Sequence, residues 1–206
     1  MRTQAPAASA AIVRRMAAAD QPAVSGLFLS SFSGKLAAML RRHPAAAAEV
    51  LAAAALRSGD AWVAETDEVV GLVTFQDHKR PWYAHGEWGL ARRRLPWWRA
   101  LRATLFTVVF HAVDFPPSEL YLETMAVAPE ERGKGHGRRL LEFADGEARR
   151  RGRRSVSLYC IRDNPRARAL YERHGYSVVR SEDLWWCSFL LGFRVTDMMR
   201  KALPRT

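Results

Sequence analysis

The sequence predicts one α/β domain, a central twisted mixed sheet flanked by helices. Three observations predict it. A strand–helix–strand–helix alternation runs from Leu120 to His174, two strand-like runs at Ala61–Glu65 and Val69–Gln76 are joined by three polar residues, and no repeat or low-complexity linker divides the 206 residues. A chain of that length with 49% hydrophobic residues can bury most of the surface it exposes when unfolded.

Residues 1–10 are rich in small residues and expected to be flexible, and Ala11-Ile12-Val13 reads as a short strand. Asp20 ahead of Gln21-Pro22 suits an N-cap with proline in the first turn, opening a helix to about Phe32. Pro44 begins an alanine-rich helix to Arg57 that stops at Ser58-Gly59. Thr66-Asp67-Glu68 is short enough to make the next two strands a hairpin. Residues 77–118 form an insert with Trp82, Trp88, Trp97, Trp98 and the triplet Arg92 to Arg94. In it Leu101, Leu105 and Val109 recur at helical spacing, which predicts a helix from Trp97 to Val113. Its unbroken apolar part, Leu105 to Val113, falls well short of the roughly 20 residues that span a bilayer. Leu120 to Val127 is a strand, Arg138 to Arg151 a helix, Ser155 to Ile161 a strand, and Asn164 to His174 a helix ending at Gly175. A crossover helix between two strands makes them parallel. Tyr176 to Arg180 and Phe193 to Met198 supply the last strands.

The net charge of +11 suits a polyanionic partner or a phosphorylated cofactor. Arginines scattered in short groups along the whole chain do not make one binding stripe, so nucleic acid is not expected. Cys160 and Cys187 are too few for a disulfide framework and have no metal-ligand spacing, which points to a reduced, cytoplasmic setting without a metal site. Arg14-Arg15 interrupt the chain before any apolar run of signal-peptide length.

The chemistry concentrates where the Leu120 strand meets the Arg138 helix. In Ala128-Pro129-Glu130-Glu131-Arg132-Gly133-Lys134-Gly135-His136-Gly137, three alternate glycines lead from a polar turn into a helix. Unpaired N–H groups at a helix start, with the positive end of the helix dipole, bind anions. Arg132, Lys134 and Arg138 add charge, and a pyrophosphate suits the turn. A P-loop needs Lys then Ser or Thr after its last glycine, but Arg138-Arg139 follow Gly137. A dinucleotide fingerprint needs two residues between its last glycines and a downstream acid, where this chain has one residue and the basic Arg153-Arg154.

Arg132-Gly133-Lys134-Gly135-His136-Gly137 resembles the cofactor motif of the GNAT (GCN5-related) N-acetyltransferase superfamily, Arg/Gln-x-x-Gly-x-Gly/Ala. Asn164-Pro165-Arg166-Ala167-Arg168-Ala169-Leu170-Tyr171 with Gly175-Tyr176 is similar to its second signature, Asn-x-x-Ala-x-x-Leu-Tyr with a trailing Gly-Tyr/Phe. The resemblance implies the GNAT fold, with the Trp/Arg-rich insert placed before the fourth strand and an acetyl-CoA-binding core over 120–180. It implies acetyl-CoA as cosubstrate, its pantetheine bonded to backbone groups of Met125, Ala126 and Val127, and its pyrophosphate on Arg132 to Arg138. The implied activity is acetyl transfer to a primary amine, in a small molecule or a peptide, through a tetrahedral intermediate.

Asn164 and Tyr171 stand seven positions apart, two helical turns, and share one face about 10 Å apart. Asn164 before Pro165 also reads as an N-cap, compatibly with cofactor binding. From spacing alone Tyr171 is an aromatic packed on the sheet, whereas the resemblance implies a catalytic acid that also touches the cofactor. Glu123, a carboxylate in an apolar strand, is the leading base candidate, and its alternative is a charge paired with an arginine. His78, His85, Glu87 and His111 in the insert are further base candidates, and His136 contributes only its backbone. Cys160 reads as a buried small residue rather than an acyl carrier. A noncatalytic acyl-CoA-binding regulatory domain is the alternative class. A membrane-surface role for the insert ranks below its role as a lid over the acceptor pocket, and homodimerisation stays open.

Overall fold

The computed structural model describes residues 11–32, 44–76, 115–185 and 193–204, together with positions 36, 89, 96–98, 100–101 and 188. The strands are β1 (Ile12–Arg15), β2 (Ala61–Glu65), β3 (Val69–Gln76), β4 (Glu119–Val127), β5 (Ser155–Ile161), β6 (Ser177–Asp183) and β7 (Val195–Ala202). The helices are α1 (Gln21–Ser31), α2 (Pro44–Ser58), α3 (His136–Arg150) and α4 (Pro165–Arg173), with single 3-10 turns at Ala18–Asp20 and Pro129–Glu131. The strands form one sheet in the order β1-β2-β3-β4-β5-β7-β6, in which only β4 and β5 pair in parallel. This is a mixed sheet flanked by helices, as expected, and the expected hairpin and parallel crossover are both present.

The two sides of the sheet carry separate cores. On one, Val24, Leu27 and Phe28 of α1 and Ala47, Ala48, Ala52 and Ala55 of α2 pack with Ala61, Val63 and Leu72. The alanines present only methyl groups there, while the high helix propensity of alanine holds α2 together. On the other side, Leu140, Leu141, Ala144 and Ala148 form the buried stripe of α3 against Val73, Phe75, Leu120, Leu122, Val156 and Leu158. The period of that stripe is the helical one that the sequence shows. α3 is thereby fixed to β4 and β5 by fully buried leucines.

Several boundaries differ from expectation. Asp20 does not cap α1 with its side chain. Its carboxylate instead accepts the Ala17 N–H at 2.8 Å and a pair of bonds from Arg14 at 2.7 and 2.9 Å, and Arg14 also grips Glu65 on β2. The charge that suggested a cap is spent on a strand-to-turn ion pair. α3 starts at His136, two residues before Arg138, because Gly135 already occupies the N-cap position. β6 runs on to Asp183 and β7 to Ala202, each longer than its apolar pattern, since β7 pairs with β6 over Val195–Arg200 and with β5 as far as Ala202. In the insert, Trp97, Trp98, Ala100 and Leu101 are helical and the Ala100 N–H bonds to Pro96 O at 3.0 Å. The remainder of that expected helix, His78, His85, Glu87, His111, Cys187 and residues 1–10 lie outside the described residues. Among the described residues no helix is long and apolar enough to cross a membrane.

Asp197 on β7 is buried at 2% exposure and accepts from Arg162 at 2.5 Å, Ser181 at 2.6 Å and Arg168 at 3.0 Å. The Arg162 guanidinium holds its carboxyl below the ordinary range, against the opposing effect of burial. A depressed folded-state pKa stabilises fully above the unfolded value of about 3.9 and is lost as pH falls through the lower folded value. Asp197→Asn should therefore lower the melting temperature at pH 7. It should also flatten the fall in melting temperature between pH 5 and about 2, measured by thermal melts across that range.

Candidate active site

The site begins where two strands part. β4 and β5 pair only over Glu119–Leu122 with Ser155–Leu158, yet β4 stays paired with β3 as far as Val127 and β5 with β7 as far as Ile161. A β-bulge marks the parting point. Thr74 faces Thr124 and Phe75 faces Leu122, so Glu123 is the extra residue on β4. A bulge bends its strand and increases the local twist, which carries the end of β4 away from β5. The edge of β4 from Glu123 to Val127 is thereby withdrawn from its parallel partner, and its last residues, Met125 to Val127, line a cleft.

Past Val127 the chain turns through Pro129–Glu131 and enters α3. Gly133 and Gly135 take φ of +86° and +91°, a region that favours glycine. The first amide after Arg132 to find a backbone acceptor is that of Arg139, which bonds to Gly135 O at 3.1 Å. Among the described residues the N–H groups of Gly133 to Arg138 have no hydrogen-bond acceptor, six consecutive donors at the positive end of a helix. Gly137 allows α4 to approach, because a Cβ there would stand 3.0 Å from Leu170 Cδ2.

A cleft of about 930 Å³ joins these features. Met125, Ala126 and Val127 line it from β4, Arg132, Gly133, Gly135, Gly137 and Arg138 from the turn and α3, and Asn164 and Tyr171 from α4. Ten of the residues expected at the site thus stand on one cavity. Lys134 and His136 do not line it with the others. Lys134 Nζ bonds Glu131 at 2.6 Å, and the buried His136 ring meets the same carboxylate at 3.3 Å. Their backbone N–H groups belong to the turn, while their side chains answer Glu131, whose carboxyl the Lys134 ammonium holds below the usual range. Arg132 is set in place by Val127 O at 3.1 Å and Ser31 Oγ at 3.4 Å.

Asn164 Oδ1 accepts the Ala167 N–H at 3.1 Å, a side-chain cap on α4. Tyr171, two turns on, is 8% exposed, lines the cleft and packs its ring 6.0 Å from that of Tyr176. Burial, then the nearby Cys160, pushes its phenol well above the ordinary value, so the hydroxyl stays protonated. Burial also pushes the Cys160 thiol up to about 11, which leaves little thiolate at neutral pH.

Glu123 is half-buried and lies at the bulge rather than in the lining of the cleft. The groups around it belong to the sheet face away from α3. Tyr121 has its phenol pushed well up, first by burial and then by the Glu123 charge, and its ring lies 6.3 Å from that of Tyr159. Tyr159, the first residue of β5 beyond the pairing, donates to Glu182 at 2.7 Å and accepts from Arg180 at 2.7 Å.

Against known proteins, a model described as the acetyltransferase (GNAT) family matches residues 33–176, more than half of the 206 residues. The chain belongs to the GNAT acetyltransferase family. Solved structures agree on the fold. An acetyltransferase is similar at 19% identity with a TM-score of 0.62, over 94% of this chain and 100% of the other. PaiA N-acetyltransferase from Thermoplasma acidophilum, solved in complex with coenzyme A, is similar at 16% identity, TM-score 0.59, over 94% and 99%. The ribosomal-protein-S18-alanine N-acetyltransferase from Escherichia coli is similar at 14% identity, TM-score 0.56, over 95% and 96%. No curated protein sequence matches the chain.

Sequence reasoning missed part of the lining of this GNAT cleft. Ser31 and Phe32 reach it from the end of α1, a contact across about a hundred residues that no local pattern announces. Arg166 and Arg173 on α4, with His174 at its C-cap, are legible in principle, since Arg166 and Arg173 repeat the seven-residue spacing of Asn164 and Tyr171. Gly135→Glu should abolish the thermal stabilisation that acetyl-CoA confers, because it sets a negative side chain at a positive-φ position in the ring of donors. A folded variant stabilised as well as the wild type would remove the turn from the cofactor site.

Proposed function

We propose that the protein transfers the acetyl group of acetyl-CoA to a primary amine of a small molecule or peptide, by direct attack through a tetrahedral intermediate. One observation carries this reading: the unpaired amides of Gly133, Gly135, Gly137 and Arg138, the parted edge of β4 and Tyr171 all belong to residues of a single cleft. A pyrophosphate fits the amides and the Arg132 and Arg138 guanidinium groups, and an extended amide-bearing arm fits a strand edge, to which it would add as a further strand. Acetyl-CoA brings an activated thioester whose sulfur leaves as thiolate.

Each step asks something of this chain. The backbone of Met125, Ala126 and Val127 holds the pantetheine amides, and an N–H of that edge faces the oxygen on which charge develops. The acceptor must attack as a neutral amine, and Glu123, directly or through a water, takes its proton. Tyr171 donates to the departing sulfur, and burial keeps that proton on the phenol until charge builds. Cys160 stays a thiol, which favours direct transfer over an acyl-cysteine.

The acceptor enters on the sheet face opposite α3, because α3 and its leucines close the other face. The insert is rooted there: Gln76, its last flanking strand residue, pairs with Tyr121, and Phe115 stacks on the Tyr121 ring at 5.3 Å. Both flanks of the 77–118 insert thus lie beside the parting of β4 and β5, which supports its role as a lid on the acceptor opening. The single domain proposed for 1–206 includes this lid.

Release of free thiol from acetyl-CoA in the presence of an amine panel tests the reaction. Tyr171→Phe should lower kcat by about 10²- to 10⁴-fold, the usual contribution of a positioned acid, with a much smaller change in cofactor affinity. Unchanged turnover would remove Tyr171 as the acid. Tight acetyl-CoA binding with no thiol release from any acceptor would favour a noncatalytic acyl-CoA-binding domain.

A further inference from the structure

Tryptophan carries a large apolar ring and is well buried in most folded proteins. Three of the four described tryptophans depart from that habit: Trp97 is 62% exposed, Trp98 51% and Trp185 69%, whereas Trp62 packs on Phe143. Trp97 and Trp98 belong to a helical turn within the 77–118 insert, which the Ala100 N–H closes on Pro96 O at 3.0 Å. Leu101, itself 51% exposed, follows Trp97 by four residues and Trp98 by three, so the three side chains are neighbours on one helical face. Ala100 between them is fully buried in the core of α1 and α2.

The third exposed indole is rooted in the same core. Leu184, immediately before Trp185, packs against it, as does Phe193 at the start of the return to β7. The Trp185 backbone is held on both sides, its N–H by Asp183 Oδ1 at 3.0 Å and its carbonyl by the Ser188 hydroxyl at 3.0 Å. Two segments far apart in the chain thus each anchor an aliphatic side chain in one core and leave indole rings in water beside it, on the side of the sheet that carries α1 and α2.

The charge next to these rings in the sequence has one sign. Between Leu90 and Ala103 stand Arg92, Arg93, Arg94, Arg99 and Arg102 and no acid. The acids ahead of Trp185 cancel none of it, because Glu182 is paired with Arg180 at 2.6 Å and Asp183 with Arg194 at 2.9 Å. A second copy of the chain is a poor cover for such a patch, since a symmetric contact would set the same arginines against each other in a protein of net charge +11. A nucleic acid would take the arginines and stack on the indoles, but it offers the exposed leucine no apolar surface. An anionic bilayer suits all three residue types. Indoles seat at the headgroup level, a leucine reaches the acyl boundary, and arginines meet the lipid phosphates.

We propose that Trp97, Trp98, Leu101 and Trp185, with the arginines of 92–102, form a surface that docks reversibly on an anionic lipid bilayer. The contact is peripheral, as no described helix is long and apolar enough to cross a membrane. It uses the exposed face of the insert turn, and Ala100 marks the opposite, core-facing side, so docking and covering the acceptor opening are compatible.

Sedimentation of the full chain with vesicles tests this without any turnover. The wild type should bind vesicles of equal parts phosphatidylglycerol and phosphatidylcholine at least about tenfold more tightly than phosphatidylcholine alone, since each arginine near an anionic surface contributes about fivefold. Trp97→Ser with Trp98→Ser should weaken binding to the anionic vesicles by about tenfold or more, and Trp185→Ser by a smaller factor. Arg149→Gln on α3, across the sheet, should bind as the wild type does. Thermal melts show whether each variant is folded, and Trp185→Ser, a change in an exposed loop, keeps the test open if the double variant is not. A wild type that stays in solution with anionic vesicles would overturn the proposal, and so would undiminished binding by folded variants lacking these indoles. If the same substitutions instead abolish dimerisation in lipid-free buffer or retention of mixed-sequence RNA, while vesicle binding is absent, the patch belongs to a second copy or to a nucleic acid and the proposal falls.

Discussion

The pairing of β4 with β5 stops at Leu122 and Leu158, and the rest of the site depends on that loss. A parallel ladder continued to the strand ends would consume the backbone groups of Met125 to Val127 and leave nothing for a ligand to pair with. The extra residue at Glu123 bends β4 while β3 still holds it, so the strand remains ordered although one edge is free. An edge of this kind is ordinarily a liability. Here it is kept inside the molecule, between α1 and α4, where another chain cannot easily reach it and an extended small molecule can.

The second constraint is the start of α3. Its leucine stripe is fixed in the core against β4 and β5, so the helix axis and its unpaired amides are fixed as well. Left-handed glycines at 133 and 135 let the preceding turn add donors to those of the helix. Formal charge then follows geometry. The side chains of Lys134 and His136 answer Glu131, while Arg132 is tied to Val127 and Ser31 beside the amides. Elsewhere in the described chain Arg162, Arg180 and Arg200 are paired with carboxylates.

What could be read from sequence was what is local. The βαβα alternation, the glycine turn and the Asn164 to Tyr171 face are each set by residues within two or three turns of one another, so their spacing carries the geometry. The parting of the strands is set by pairs some 36 positions apart and by a one-residue offset against β3, and neither has a local signature. The insertion of β7 between β5 and β6 is likewise a matter of long-range pairing. Asp20 shows a different failure: a residue that suits a cap can also suit an ion pair, and Arg14 decided between them. Glu123 is legible in the sequence as a charge out of place in a strand, whereas its position at the bulge depends on pairing with β3.

The central claim is that the free amides of the turn and the free edge of β4 are held open for one ligand. Hydrogen exchange read by mass spectrometry, with and without coenzyme A, tests it most directly. Protection should appear in the peptides covering Met125–Val127 and Gly133–Arg138, while those covering β1 and β2 stay unchanged. Protection confined to other segments, with these two unaltered at saturating coenzyme A, would contradict it.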